Sequence, residues 1–377
     1  MTDGVTAELL SKVSEISADQ WDALNPRGNP FVSHAFLSAL EHSGSVGPGT
    51  GWSPAPLLIR DADGVPAAAL PAYLKSHSQG EYVFDHHWAD AFHRAGGQYY
   101  PKLQIAAPFS PVPGPRLLVR DPAMALPILR AAEAVVEQNG LSSAHATFVD
   151  ETELAQFRSA GWLTRVGAQF HWKNRDYADF EEFLGALSSR KRKAIRKERT
   201  GAQSAARIEQ ISGADITSEH WDAFWIFYQD TGARKWGTPY LTRAFFDIIG
   251  DTMRDSIVLF LAFAGDRPIA GALNFVGPDC LYGRYWGCIS EVPFLHFELC
   301  YYQAIDYAIA HGLARVEAGA QGEHKLARGY EAVPTYSAHY IANEGFRMAV
   351  ADFLERETHA MEREIEFLGD MAPFKKG

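Results

Sequence analysis

The chain has 377 residues, 47% hydrophobic and 21% charged, a balance that excludes a disordered or fibrous protein and is long enough for two cores. Its net charge of −11 excludes a protein whose whole surface grips nucleic acid. The amino terminus, MTDGVTAELLSKV, has no basic region followed by an apolar run, and apolar stretches such as Ile257 to Ala264 are too short to cross a bilayer. Cysteines stand at 280, 288 and 300 without paired spacing, so free thiols in a reducing cytoplasm are the expected reading.

Residues 55–74 read APLLIRDADGVPAAALPAYL, two apolar runs about an Asp/Gly turn, which predicts a β-hairpin. Glu81 to Phe84 reads as a further strand. From Asp85 to His93, His86, Asp90 and His93 fall along one helical face. The segment lacks HExxH and a distant ligand pair, so no metal is expected. Tyr99 to Lys102 and the Pro-rich run Pro108 to Pro115 read as rigid and extended. Helical spacing then runs from Pro122 to Gln138 and stops at Asn139-Gly140. A strand (Ser143 to Val149), a helix (Glu151 to Ser159) and a strand (Leu163 to Trp172) follow.

Phe180 to Arg199 reads as a basic helix. Between Ser188 and Arg199 it carries Arg190, Lys191, Arg192, Lys193, Arg196, Lys197 and Arg199 against the single acid Glu198, a local contact for phosphates on an acidic chain. An aromatic helix, Ser218 to Gln229, leads to Arg234-Lys235-Trp236-Gly237. Residues 257–276, IVLFLAFAGDRPIAGALNFV, repeat the hairpin grammar of 55–74. Leu281 to Trp286 reads as a strand with Tyr282, Arg284 and Trp286 on one face and Tyr285 on the other. A helix from Leu295 to His311, a strand from Arg315 to Ala318, a polar loop or short helix, and a strand from Thr335 to Ile341 complete the order.

The order shared by the two halves is hairpin, strand, helix, strand, helix or loop, strand. It predicts an α/β (α+β) chain of two tandem GNAT-like domains, residues 1–175 and 176–377, each a mixed sheet flanked by helices. The second is expected to hold the active site.

The densest polar cluster runs from Val316 to Tyr330, a strand entering Gly-spaced polar residues, where open sheets place ligand groups. Glu317, His324 and Lys325 can supply a base, a proton shuttle and a cation for a developing oxyanion. The same residues would also suit a solvated turn. His296 and Glu298 open a helix that is apolar on nearly every face, so they either find partners in the core or face a cleft. Arg234, Lys235 and Trp236 suit an anion grip or a loop pinned by its Trp. Before Leu295, Cys288 to Phe294 lacks the Arg/Gln-x-x-Gly-x-Gly/Ala loop that holds the pyrophosphate of acetyl-CoA in GNAT enzymes, and Glu291 would repel one.

Long strings carry a resemblance to a known family: Ser33-His34-Ala35-Phe36-Leu37, Gly80-Glu81-Tyr82-Val83-Phe84-Asp85, Tyr99-Tyr100-Pro101-Lys102-Leu103, Gly283-Arg284-Tyr285-Trp286-Gly287-Cys288, Leu295-His296-Phe297-Glu298 and Glu317 through Lys325. They resemble the FemAB-like proteins of peptidoglycan biosynthesis or recognition, within the GNAT superfamily. The resemblance implies a tandem GNAT fold like that of the Fem transferases, which move an amino acid from aminoacyl-tRNA onto a peptidoglycan precursor peptide. Lys325 and Gly329 sit comparably to a Fem motif. The basic helix is similar to a Fem element, although the long coiled-coil arm of some Fem proteins is absent from this sequence.

The expectation is therefore transfer of an acyl or aminoacyl group to an amine of a small molecule or cell-wall peptide. Lys325 would stabilise the oxyanion, and His324 or Glu317 would manage a proton. Arg190, Lys191, Arg192, Lys193 and Arg196, with Arg234 and Lys235, would hold donor phosphates. Trp236, Arg284, Tyr285, Trp286, His296, Glu298 and Gln321 would line the substrate cleft. No dedicated cofactor is expected. The donor is aminoacyl-tRNA, which would make tRNA a partner, or an acyl-CoA, and a non-catalytic binder of cell-wall peptide or RNA is the rival class.

Overall fold

The computed structural model describes residues 6–235, 239–319 and 322–375, excluding the side chains of 232–235 and 323. The strands are β1 Thr6–Leu9, β2 Trp52–Pro54, β3 Leu57–Arg60, β4 Pro66–Leu70, β5 Ala72–Lys75, β6 Lys102–Ile105, β7 Leu118–Val119, β8 Ser143–Val149, β9 Leu163–Lys173, β10 Arg207–Ser212, β11 Ile257–Ala264, β12 Arg267–Val276, β13 Cys280–Cys288, β14 Arg315–Glu317 and β15 Glu331–Ile341. The chain forms two compact units, one of residues 6–167 with 334–363, the other of 168–333 with the residues after 363. Among the described residues no helix is long and apolar enough to cross a membrane.

In the first unit the expected hairpin is β3–β4, within a small sheet of order β1-β3-β4-β7. A second sheet runs β2-β5-β6-β8-β15, with β6 and β8 parallel. The helix Ala125–Gln138 buries Ile128, Leu129, Ala132 and Val136 against Leu103, Ile105, Ala144 and Ala146. Because side chains alternate along a strand, the opposite face carries Lys75, Lys102, Gln104, Ser143, His145, Thr147, Ser337 and His339, all buried.

The second unit is one sheet of order β10-β11-β12-β13-β14-β9, with the repeated hairpin as β11–β12 and a parallel pair at β13–β14. One face packs on the helical segment from Leu295 to Ala310 through Leu281, Ala272, Leu299, Tyr302 and Ile305. Against the other face lies the aromatic helix, here Ser218–Lys235. It comes so close that a Cβ on Gly287 would sit 2.0 Å from the Phe227 carbonyl oxygen, which is why glycine stands there.

The last strand of each sequence half closes the other unit's sheet. β9 belongs to the first half, yet its Lys173, Trp172 and His171 pair with Arg315, Val316 and Glu317 of β14. β15 belongs to the second half, and its residues 336–341 pair with β8.

Four local expectations change. Glu81 to Phe84 is not a strand: Tyr82 sits at φ 60°, a turn that sends the Glu81 carboxylate inward to Lys102. The Phe180–Arg199 helix breaks into Phe180–Ala186 and Ser189–Ala205, because Leu187 is extended and bridges to Phe374. The helix from Leu295 contains a π turn at Glu298–Tyr302. In β13, Asn274 pairs with Gly283 and Leu273 with Tyr285, so Arg284 is a bulge. The bulge shifts the alternation: Tyr282 and Tyr285 share one face, and Trp286 takes the other.

Candidate functional site

The site of the second unit begins where β13 and β14 part. They are held together only at Cys280–Arg315, Leu281–Val316 and Tyr282–Glu317; β14 then ends while β13 continues to Cys288. Diverging parallel strands leave room for a ligand beyond the carboxyl end of the shorter one. The chain after β14 turns back through a 3-10 helix, Glu323–Arg328, flanked by Gly322 at φ 118° and Gly329 at φ 86°. A Cβ on Gly322 would lie 2.6 Å from the His324 ring. The turn therefore needs glycine to bring His324 in.

Lys325 points into the fold, 2% exposed, and its Nζ donates to the Gly319 carbonyl at 2.8 Å. Burial is the main force that lowers its pKa to about 7, and the Arg284 guanidinium pushes the same way. A lysine that is half charged near neutrality is an amine held ready to respond to charge beside it. His324 is exposed, and its Nε2 lies 2.8 Å from the Tyr301 hydroxyl. Burial raises the Tyr301 phenol above its ordinary range, so it stays protonated. Trp286 and Tyr301 pack at 5.2 and 5.4 Å from the His296 ring.

The basic helix is tied to this turn. Its inner face buries Ile195 and Ala202 and turns Glu198 and Arg199 inward. Both Glu198 oxygens accept from Arg328 Nη2 at 3.0 Å, and Tyr302 also donates to Glu198. Arg328 in turn donates to the His324 carbonyl at 2.8 Å and stacks 3.4 Å over Phe297. Arg190, Lys193, Arg196 and Lys197 point outward. Arg196 pairs with Glu181, while Arg190, Lys191, Arg192, Lys193 and Lys197 have no carboxylate partner among the described residues.

The structure thus gathers Lys325, His324, Trp286 and His296 about one turn, with Arg284 close by. Glu317 ends β14, 4% exposed and bonded by Arg315 Nε at 3.0 Å. Tyr285 packs instead on Tyr228 of the aromatic helix, at 5.4 Å. Glu298 is fully buried and accepts from Arg199, Gln203 and Gln303, so it anchors the basic helix. The side chains of Arg234 and Lys235, and Trp236 and Gln321, lie outside the described residues.

Sequence reasoning missed Tyr301, Glu198 and Arg328 as site residues, and it missed a buried cluster in the first unit. There Lys102 Nζ donates to Ser78 Oγ, Glu81 Oε2 and Asp85 Oδ2 at 2.9, 2.8 and 2.6 Å. Tyr99 donates to Asp85 at 2.6 Å, and His145 and His339 meet through Nδ1 at 2.7 Å. Burial opposes ionisation of Asp85, but Lys102 outweighs it and holds the carboxyl below its ordinary range. Burial moves Lys75 down to about 7 and Glu81 up to about 7. The signal was present: Lys75 and Lys102 interrupt otherwise apolar strands. His86, Asp90 and His93 stand exposed on the helix His86–Arg94.

The first unit's own parallel pair, β6–β8, also ends after three residues, but the chain that follows β6 is closely packed. Ala106, Ala107, Phe109, Ser110 and Val112 are buried there, and Arg116, 1% exposed, donates to the carbonyls of Thr147, Val112 and Pro115.

Among solved structures, the chain is similar to L-PGS from Bacillus licheniformis (10% identity, 89% of this chain and 96% of that one, TM-score 0.54). It is also similar to the C-terminal domain of a putative lysylphosphatidylglycerol synthetase from Agrobacterium fabrum (10%, 90% and 96%, TM-score 0.56) and to FemX (13%, 89% and 98%, TM-score 0.55). At these identities the likeness is one of fold, a mixed sheet flanked by helices in each of two units. No curated protein matches the chain in sequence. The match that covers the chain end to end is to a family, peptidoglycan biosynthesis/recognition, over residues 12–376, and the chain belongs to that FemAB-like family.

Proposed function

We propose that this chain transfers an acyl group to an amine, with aminoacyl-tRNA as the favoured donor and a cell-wall peptide amine as the acceptor. The observation that supports this most is Lys325: a buried ammonium held by one carbonyl, its pKa lowered to about 7, just beyond the end of a parallel strand pair. As the amine nitrogen attacks the donor carbonyl, the carbonyl electrons move onto oxygen, and a desolvated cation beside that oxygen stabilises it far more than it would in water. The tetrahedral intermediate then collapses, and His324 gives the leaving oxygen a proton.

Two features favour an aminoacyl ester over a thioester of CoA. The helix that would receive a pyrophosphate starts after Phe294, at φ 66°, with Glu291 exposed just before it, instead of after a glycine loop. The unpartnered cations of the basic helix offer phosphate contacts along an extended backbone. Such transfer would take place in the cytoplasm, where charged tRNA is found.

The test is binding of total tRNA, and separately of CoA, across a salt series, with transfer measured for wild type and Lys325→Ala. The expected result is tRNA retention with a steep salt slope and loss of transfer in a folded variant. Stabilisation by CoA alone would move the donor to a thioester, and an active Lys325→Ala would remove the lysine from the mechanism.

A further inference from the structure

Across the second unit's sheet, Tyr282, Glu317 and His171 sit directly opposite one another on β13, β14 and β9, so their side chains share one face. His171 comes from the first half of the sequence, on the exchanged strand. It is 9% exposed, and its Nε2 lies 3.2 Å from Gln169 Oε1. An amide oxygen only accepts, so the ring carries its proton on Nε2 and has Nδ1 as its acceptor. Burial is the first cause of a lowered pKa at His171, with Lys325 among the nearby cations that disfavour the charged ring. Directly across the sheet, Glu317 accepts from Arg315 with Oε1 and has the Cys280 thiol beside its carboxylate, while its buried Oε2 has no hydrogen-bond partner among the described residues.

A buried carboxylate oxygen left short of a partner beside an imidazole that can accept calls for a group that donates. The first unit shows the same pattern with the cross-strand pair bonded. There His339 stands on the exchanged β15 with Ser337 at its Nε2, 2.9 Å away, and its Nδ1 is taken up by His145 on β8. In the second unit Glu317 holds the position of His145, and the corresponding bond is missing.

We propose that Glu317 and His171 bind the primary amine of the acceptor and take its proton during transfer. This rests on the transfer reading given above and adds where the amine sits. The amine N–H groups donate to Glu317 Oε2 and His171 Nδ1, which leaves the nitrogen lone pair for the donor carbonyl. The new N–C bond forms as the carbonyl electrons move to oxygen, and the amine proton passes to Nδ1. The C–O bond to the donor then breaks, its electron pair stays on the leaving oxygen, and that oxygen takes a proton from His324. One proton is gained and one lost per turnover, so the two rings reset through solvent.

The experiment uses the full chain, total aminoacyl-tRNA and a synthetic stem peptide bearing one free primary amine. His171→Gln should lower turnover about 100-fold at neutral pH while tRNA binding is unchanged, the usual contribution of a positioned base. The pH profile of the wild type should show an acidic limb that the variant lacks. Long-range proton–nitrogen spectra of the wild-type imidazoles should place the His171 proton on Nε2 and should shift at Nδ1 when the peptide binds, a readout that survives if the variant fails to fold. A His171→Gln enzyme within about threefold of wild type, or a His171 ring untouched by bound peptide, overturns the proposal. A wild type that transfers nothing to any amine overturns the transfer reading itself and this assignment with it.

Discussion

The two units place the same kind of polar row on the same sheet face and finish it differently. In the first, every step from Lys102 through Asp85, Tyr99, His145 and His339 is bonded, and the chain after β6 buries Phe109, Val112 and Arg116. In the second, β14 stops after three residues, a glycine-flanked turn carries Lys325 back toward its end, and Glu317 Oε2 is left without a partner. Both rows leave single buried oxygens without a partner, Asp85 Oδ1 and Glu81 Oε1 in the first and Glu317 Oε2 in the second. What differs is the cation: Lys102 bridges Ser78, Glu81 and Asp85 and contributes structure, whereas Lys325 is held by one backbone carbonyl and has capacity for chemistry.

That contrast is broken most directly by exchanging the expected phenotypes of two lysines. Lys325→Met should lower transfer about 100- to 1000-fold, the effect of losing one oxyanion donor, with no fall in the urea midpoint because the variant sheds a desolvated amine. Lys102→Met should do the reverse. It strands Glu81 and Asp85 as buried acids without their cation, and the unfolding free energy should drop by about 3–5 kcal/mol in urea titration. If Lys102→Met left stability intact, the first unit's row would not be structural.

A smaller effect sharpens the link between the basic helix and the turn. Glu198→Gln removes the charged partner that fixes Arg328, and through it the His324 carbonyl. Turnover should fall about tenfold with tRNA affinity within about twofold. Equal losses in both would make Glu198 part of the RNA surface instead.

The two lowered lysines give a pH signature. Lys325 and Lys75 both titrate near 7 in the folded protein, well below their unfolded value. Between those values the unfolded chain holds more protons, so each contributes stability that rises with pH above about 7. Glu81, raised to about 7, acts in the opposite sense, and its contribution falls as pH climbs from the ordinary glutamate range to about 7. Thermal midpoints of wild type, Lys325→Met and Lys75→Met across this range should separate the two units. Transfer, which needs the charged form of Lys325, should decline as pH rises through about 7. The smallest effect is expected at the exposed cations: Arg190→Ala and Lys193→Ala should each flatten the salt dependence of tRNA binding by about one unit of slope.

Much of this architecture was legible in the chain. The two hairpins, the helix stopping at Asn139-Gly140 and the strand leading into Glu317 follow from periodicity and turn chemistry, and they stand where expected. So does the placement of His324 and Lys325 just beyond a strand end. What escaped depended on partners far apart in sequence. Glu81 turns inward because Lys102 waits 21 residues later, which no local pattern reveals. The Arg284 bulge exists only relative to β12. Glu298 looked like a cleft residue because its partner Arg199 lies 99 residues away. His171 read as one position in an apolar strand, since its neighbour Glu317 belongs to the other half of the chain.

The traded strands have a consequence for descent. Two copies of a self-sufficient domain can part again, and either can be lost while the other survives. Here part of β9, residues 168–173, and part of β15, residues 334–341, each close the sheet of the other half. A stop codon or a gene break near residue 175 would leave β14 without β9 and β8 without β15, two bare edges open to aggregation instead of two smaller proteins. A chain closed in this way cannot be cut into two halves that each keep a complete sheet.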